Sequence, residues 1–118
     1  MEKETIRLIV NDLIGNDTAV STDDGDVVFQ GIKSIFDARK QVVLDFERIQ
    51  MLTTAFLNAA IGQLYSEYKS DYLNQNLKLE NVADEDKILF KKVVERAKEY
   101  FLDKKGFEDS ANNAIYGS

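Results

Sequence analysis

The chain has 118 residues, a net charge of -6 and an apolar fraction of 44%, which describes one globular domain able to bury roughly two thirds of the surface its unfolded form exposes. It contains no cysteine and no histidine; disulfides, thiolate nucleophiles and thiolate metal sites are excluded, and the commonest general base and zinc ligand is missing. The acidic balance speaks against nonspecific nucleic-acid binding, no stretch approaches the roughly 18 apolar residues of a membrane span, and MEKETIRLIV at the N-terminus has no signal-peptide pattern, so a soluble cytoplasmic protein is expected.

The first strand is predicted over residues 5–10, TIRLIV, with room to extend through Leu13 and Ile14 before Gly15-Asn16-Asp17 turns the chain. Residues 18–21, TAVS, offer a fourth strand, expected to pair antiparallel with the first as a hairpin. The oxygen-rich STDDGD at 21–26 suits a turn and a helix start. Val28, Ile32, Ile35 and Phe36 then recur at helical spacing and predict a helix over about 25–39, weakened by Gly31.

Residues 42–46, VVLDF, read as the most secure strand, because Val42, Val43 and Leu44 form the near-continuous apolar run of a central strand covered on both faces. Ile49, Met51 and Leu52 follow as a buried crossing segment. Thr53 or Thr54 offers a hydroxyl N-cap, and Phe56, Leu57, Ala60, Ile61, Leu64 and Tyr65 give the next helix its apolar face. A polar stretch at 71–76 leads to a short strand at 77–82, LKLENV. Asp84 opens the clearest helix, reaching about Leu102, with Phe90, Val93, Val94, Ala97 and Phe101 on one stripe. Periodicity is lost after Gly106, so residues 1–105 are read as a single domain and 106–118 as a flexible tail. The alternation of strands and helices predicts an α/β fold, a small mixed sheet of three to four strands with helices packed against it.

Few residues carry chemistry. Asp45 and Glu47 flank Phe46 at the period of two that puts side chains on one side of a strand, at the carboxyl edge where α/β sheets bind ligands. Without a third carboxylate close in sequence, Asp45 is better employed in satisfying backbone N–H groups of a neighbouring loop. The acids Asp23, Asp24 and Asp26 fail the calcium-loop pattern: with Gly25 at position six, the twelfth position is Gly31 in place of glutamate. Their better use is at a helix N-terminus. Lys87, Lys91, Lys92, Arg96 and Lys98 are interrupted by Glu95 and Glu99 and read as a solvated helix face. Tyr65, Tyr68 and Tyr72 are read as closing the core edge. No cofactor and no metal site is expected.

Residues 42–65, VVLDFERIQMLTTAFLNAAIGQLY, resemble the signature of STAS-type domains, the anti-sigma-factor antagonist fold, and more closely a STAS-like domain family of unknown function. Those proteins read as VVLDF, a short apolar segment, a Ser/Thr-rich turn with an aromatic residue, and a helix. The resemblance implies a non-enzymatic regulatory protein–protein interaction module of a bacterial or phage-associated system. It puts Thr53 at the usual aspartate and Thr54 at the usual phosphorylatable serine, so Thr54, ahead of Thr53, is the candidate phospho-acceptor; the acidic residue and the Ser-Gly continuation of that pattern are absent. The contact surface expected on this footing comprises Asp45, Glu47, Thr53, Thr54, Phe56 and Asn58, and the partner implied is a GHKL-type ATPase or serine kinase of the anti-sigma kind. Two rivals stay open: an acidic inhibitor or antitoxin-like protein that binds a basic enzyme or nucleic-acid-binding protein by charge complementarity, and a carboxylate-dependent enzyme or metal-binding protein built on Asp45, Glu47 and the acidic turn. No direct contact with nucleic acid or membrane is expected, and the oligomeric state is left open.

Overall fold

The structure, a computed structural model, describes the backbone of residues 3–116 and the side chains of residues 3–101. In chain order the elements are β1 (Thr5–Ile9), α1 (Val10–Ile14), β2 (Thr18–Ala19), α2 (Thr22–Asp37), β3 (Gln41–Asp45), β4 (Met51–Leu52), α3 (Thr54–Leu57), a π-helical turn (Asn58–Gly62), α4 (Leu64–Glu67), α5 (Ser70–Asn76), β5 (Leu77–Glu80) and α6 (Asp84–Tyr116). The main sheet has three parallel strands in the order β1-β3-β5. β3 is central, as its apolar run predicts, with Val42 beside Ile6 and Leu77, and Leu44 beside Leu8 and Leu79.

Strand order here follows chain order without reversal, so two right-handed crossovers carry their helices to the same face of the sheet. α2 and α5 pack on the strands, and α6 packs outside them on α3, the π-helical turn and α4. β3 is buried on both faces, as its apolar run predicts, with Val42 and Leu44 under the helices and Val43 and Asp45 on the opposite face. On the second face, alternation places Arg7, Val43 and Lys78 in one row and Ile9, Asp45 and Glu80 in the next. Among the described residues no helix covers them. Val43 is nevertheless only 7% exposed, with Arg7 and Lys78 as its register neighbours, residues whose long stems can cover apolar surface while their heads stay in water.

The expected hairpin does not form. Residues 10–14 make α1, because Val10, Leu13 and Ile14 lie at helical spacing, and Gly15 closes the helix in the left-handed conformation (φ 67°) with its N–H donating to the Asn11 carbonyl. β2 then pairs in parallel with β4, Thr18 beside Met51 and Ala19 beside Leu52. Met51, expected in a buried crossing, is 55% exposed on this outer pair.

α2 and α3 leave β2 and β4 side by side. Each start is capped by a hydroxyl: Ser21 Oγ accepts from the Asp24 N–H at 3.0 Å, and Thr53 Oγ1 accepts from the Phe56 N–H at 3.3 Å. Gly25 allows the two helices their close approach, since a Cβ there would lie 2.5 Å from the Phe56 carbonyl oxygen and 2.6 Å from Ala59 Cβ. α2 ends in a Schellman-type closure, with the Arg39 N–H donating to the Phe36 carbonyl and the Lys40 N–H to the Ile35 carbonyl, Arg39 taking the left-handed position at φ 61°. Downstream of α3 the wider π turn alters the backbone pairing, and the Gln63 side chain answers it by donating to the Ala59 carbonyl (2.9 Å) and to Asp26 Oδ1 on α2 (2.7 Å).

The core gathers Val28, Phe29, Ile32 and Phe36 of α2, Val42 and Leu44 of β3, Phe56, Leu57, Ala60, Ile61 and Leu64 of the third helical run, and Phe90 and Val93 of α6. Phe36 meets Tyr68 and Tyr72 edge-on at 5.0 and 5.2 Å, which puts those tyrosines at the core edge. The polar stretch before β5 is helical, α5, in place of the irregular segment its composition suggests. α6 continues beyond the expected end at Leu102 to Tyr116: the chain has no proline, and a lone glycine such as Gly106 costs a helix only about 1 kcal/mol. The side chains of the segment expected to be a tail lie outside the described residues.

Candidate functional site

The carboxyl end of β3 is where the candidate residues meet. Asp45 ends the strand only 3% exposed, and its carboxylate is shared among three segments. Oδ1 accepts from the Glu47 N–H at 2.9 Å and from Asn81 Nδ2 at 2.8 Å; Oδ2 accepts from Arg7 Nη1 at 2.8 Å. The same Arg7 nitrogen donates to Glu80 Oε1 at 2.9 Å, so one guanidinium on β1 spans the sheet to β5. Glu47 is exposed in the turn after the strand; it gives Asp45 a backbone N–H and does not stand beside it as a second carboxylate. Asp45 therefore satisfies a backbone N–H of the neighbouring loop, as expected, and the rival reading of a paired Asp45/Glu47 site is corrected; the sheet has no strand-order reversal and hence no switch point of the doubly wound kind.

Burial pushes the Asp45 carboxyl up, but hydrogen bonds from Asn81, the Glu47 N–H and Arg7, with the Arg7 charge, outweigh it and hold its pKa below the ordinary carboxylate value. A group whose pKa is depressed by folding stabilises the fold above its unfolded pKa, near 3.9, and loses that contribution as pH falls through the folded value. Asp45→Asn is therefore expected to cost about 1–3 kcal/mol at neutral pH. The gap from wild type should narrow in denaturant titrations below about pH 4. A gap that stays constant with pH would show that the carboxylate charge contributes nothing.

Two turns beside Asp45 hold non-glycine residues in the left-handed region. Arg48 (φ 64°) lies in the turn closed by the Ile49 N–H donating to the Phe46 carbonyl, and Asn81 (φ 58°) follows β5. Between them opens a cleft of about 380 Å³ lined by Phe46, Glu47, Arg48, Ile49, Leu52, Asn81, Val82, Ala83 and Asp86. Asn81, Arg48 and Asp86 belong to no motif; Asn81 and Val82, expected within the strand at 77–82, lie beyond its end at Glu80. Arg7 had no local signal, since its partner Asp45 lies 38 residues away.

Further along, Thr53 and Thr54 separate into different roles. Thr53 Oγ1 caps the helix and also donates to the Val20 carbonyl at 2.8 Å; its hydroxyl is committed, which corrects its place among the phospho-acceptor and contact residues. Thr54 is exposed, with no hydrogen bond to its hydroxyl among the described residues, and Asn58 is exposed. Phe56 is wholly buried. Its expected place on the contact surface is therefore corrected: it points into the core with Leu57, as the apolar spacing of the helix requires. Asp23 and Asp24 sit in the first turn of α2, and Asp26 receives Gln63. Among the described residues no three acidic groups are placed to hold a metal ion, and no helix is long and apolar enough to cross a membrane.

The family model described as a STAS-like domain of unknown function (DUF4325) matches residues 24–87. The chain belongs to this family. The match runs from the first turn of α2 to the first turn of α6 and so takes in Asp45, the cleft and the Thr53–Asn58 region of this STAS-like domain, while β1 with Arg7 and most of α6 lie outside it. No curated protein and no solved structure matches the chain.

Proposed function

We propose that this STAS-like domain is a regulatory module that acts by binding a protein partner, without chemistry of its own, and that its contact strip is Met51, Thr54 and Asn58 at the start of the third helical run. The observation that carries this reading is the division of labour between the threonines: Thr53 is used up in the cap, so the fold does not need the exposed Thr54 hydroxyl, and Met51, three residues earlier, is exposed as well. A phosphoryl group on Thr54 would add about -1.5 to -2 charge to that strip. The partner is taken, by resemblance to STAS antagonists, to be an ATPase or kinase of the anti-sigma kind.

The test is phosphorylation by such a kinase with ATP, read by intact mass, and binding of the kinase to Thr54 variants. Wild type is expected to gain one phosphoryl group and Thr54→Val none, with Thr54→Glu binding at least tenfold more weakly. Thr54→Val should leave stability within about 0.5 kcal/mol, whereas Thr53→Ala should cost about 0.5–2 kcal/mol by losing the cap. Equal binding by wild type, Thr54→Val and Thr54→Glu would remove the strip from the interface.

A further inference from the structure

We propose that the cleft at the carboxyl ends of β3 and β5 receives a basic side chain, arginine or lysine, from the partner protein. The inference rests on the reading of the chain as an interaction module, though not on Thr54 as its contact. Three features of the cleft specify this occupant. Part of its wall is apolar, formed by Phe46, Ile49, Leu52 and Val82, with the Phe46 ring edge-on to Phe90 at 5.0 Å. Its polar rim carries two carboxylates, Glu47 and Asp86, neither of which has an ion-pair partner among the described residues. The single cation in the lining, Arg48, is already matched to Asp12 at 3.5 Å.

An arginine or lysine combines an apolar stem with a cationic head, which is the pairing of surfaces the cleft offers. Its volume, about 380 Å³, lies within the roughly 300–1,000 Å³ typical of clefts that engage ligands. The rim is also held in place before anything binds. Asp45, as a positioning residue, bonds the Glu47 N–H on one side and the Asn81 amide on the other, and so fixes both turns that form the mouth. Less ordering is then needed on association. A chain of net charge -6 would steer a basic partner toward itself over distances set by ionic strength.

The experiment maps amide shifts of the isotopically labelled full chain on adding the peptide acetyl-Ala-Leu-Arg-Leu-Ala-amide, with the central arginine replaced by glutamate or norleucine as controls. The arginine peptide is expected to move amides 46–52 and 81–86. Its affinity should fall at least tenfold with glutamate or norleucine, and at least tenfold in the Glu47→Gln/Asp86→Asn double variant, whose two changes lie on the rim and leave the core intact. Equal binding of the three peptides, no shifts at millimolar peptide, or inorganic phosphate moving the Arg48 and Asn81 amides where the arginine peptide does not, would each overturn the proposal. Shifts confined to Thr54 and Asn58 would overturn the cleft while leaving the contact strip standing. Cleft shifts in a protein whose kinase binding ignores Thr54 would do the reverse.

Discussion

Phe56→Ala is expected to destabilise the domain by about 3–5 kcal/mol, the range for truncating a wholly buried aromatic residue. Phe56 is 0% exposed and belongs to the same cluster as Val28 and Ile32 of α2 and Leu57 of its own helix. Collapse around the cavity is resisted, because the Phe56 carbonyl already sits against Gly25, where not even a methyl group would fit. Against a total stability of about 5–15 kcal/mol typical of such domains, the loss should be plain as a lower denaturant midpoint at unchanged slope. A loss below about 1 kcal/mol would return Phe56 to the surface and to the partner interface.

Leu44→Ala should cost about 2–5 kcal/mol, by lost transfer energy and the cavity left behind. Leu44 is 0% exposed, central in the three-stranded sheet, and lies between Leu8 and Leu79 on the helix-covered side. The instructive comparison is Val43→Ala, one residue away on the helix-free side. There the register neighbours are Arg7 and Lys78, and Val43 loses two methyl groups where Leu44 loses three carbons, so its cost should be the smaller of the two. Equal losses would mean that the second face is packed as rigidly as the first.

These neighbours on β3 mark how far the sequence could be read. The strand was legible because Val42, Val43 and Leu44 are apolar without interruption, and the stripe of Phe90, Val93 and Ala97 was legible because a helix repeats its face every three to four residues. Which faces of β3 helices would cover was not, because that follows from strand order, which no local pattern encodes. The parallel pairing of Thr18–Ala19 with Met51–Leu52 was out of reach for the same reason, with only two residues in each strand. Other misses had a signal in plain view. Val10, Leu13 and Ile14 have helical spacing, and Phe56 could not serve both the apolar face of its helix and a docking surface. At the site, Thr54 is already preferred over Thr53 as the free hydroxyl, but which threonine caps the helix is open in the sequence, and the bond from Thr53 to the Val20 carbonyl that commits it crosses 33 residues.

The parallel sheet also sets the order in which the chain can fold. Thr5 meets Gln41 across 36 residues, and Asn81 reaches Asp45 across another 36. Without a hairpin in the sheet, no strand can find its partner by closing a short loop, and the entropy of closing each long one is spent before any ladder bond forms. Helix contacts must therefore lead. α2 can bring β1 to β3 only once it has settled on the chain that follows, and Gly25 against the Phe56 carbonyl is the close fit that joins the first crossover to the second. Assembly is expected to be slow for a domain of this length and all-or-none, with the β3 amides, flanked on both edges, last to exchange with solvent.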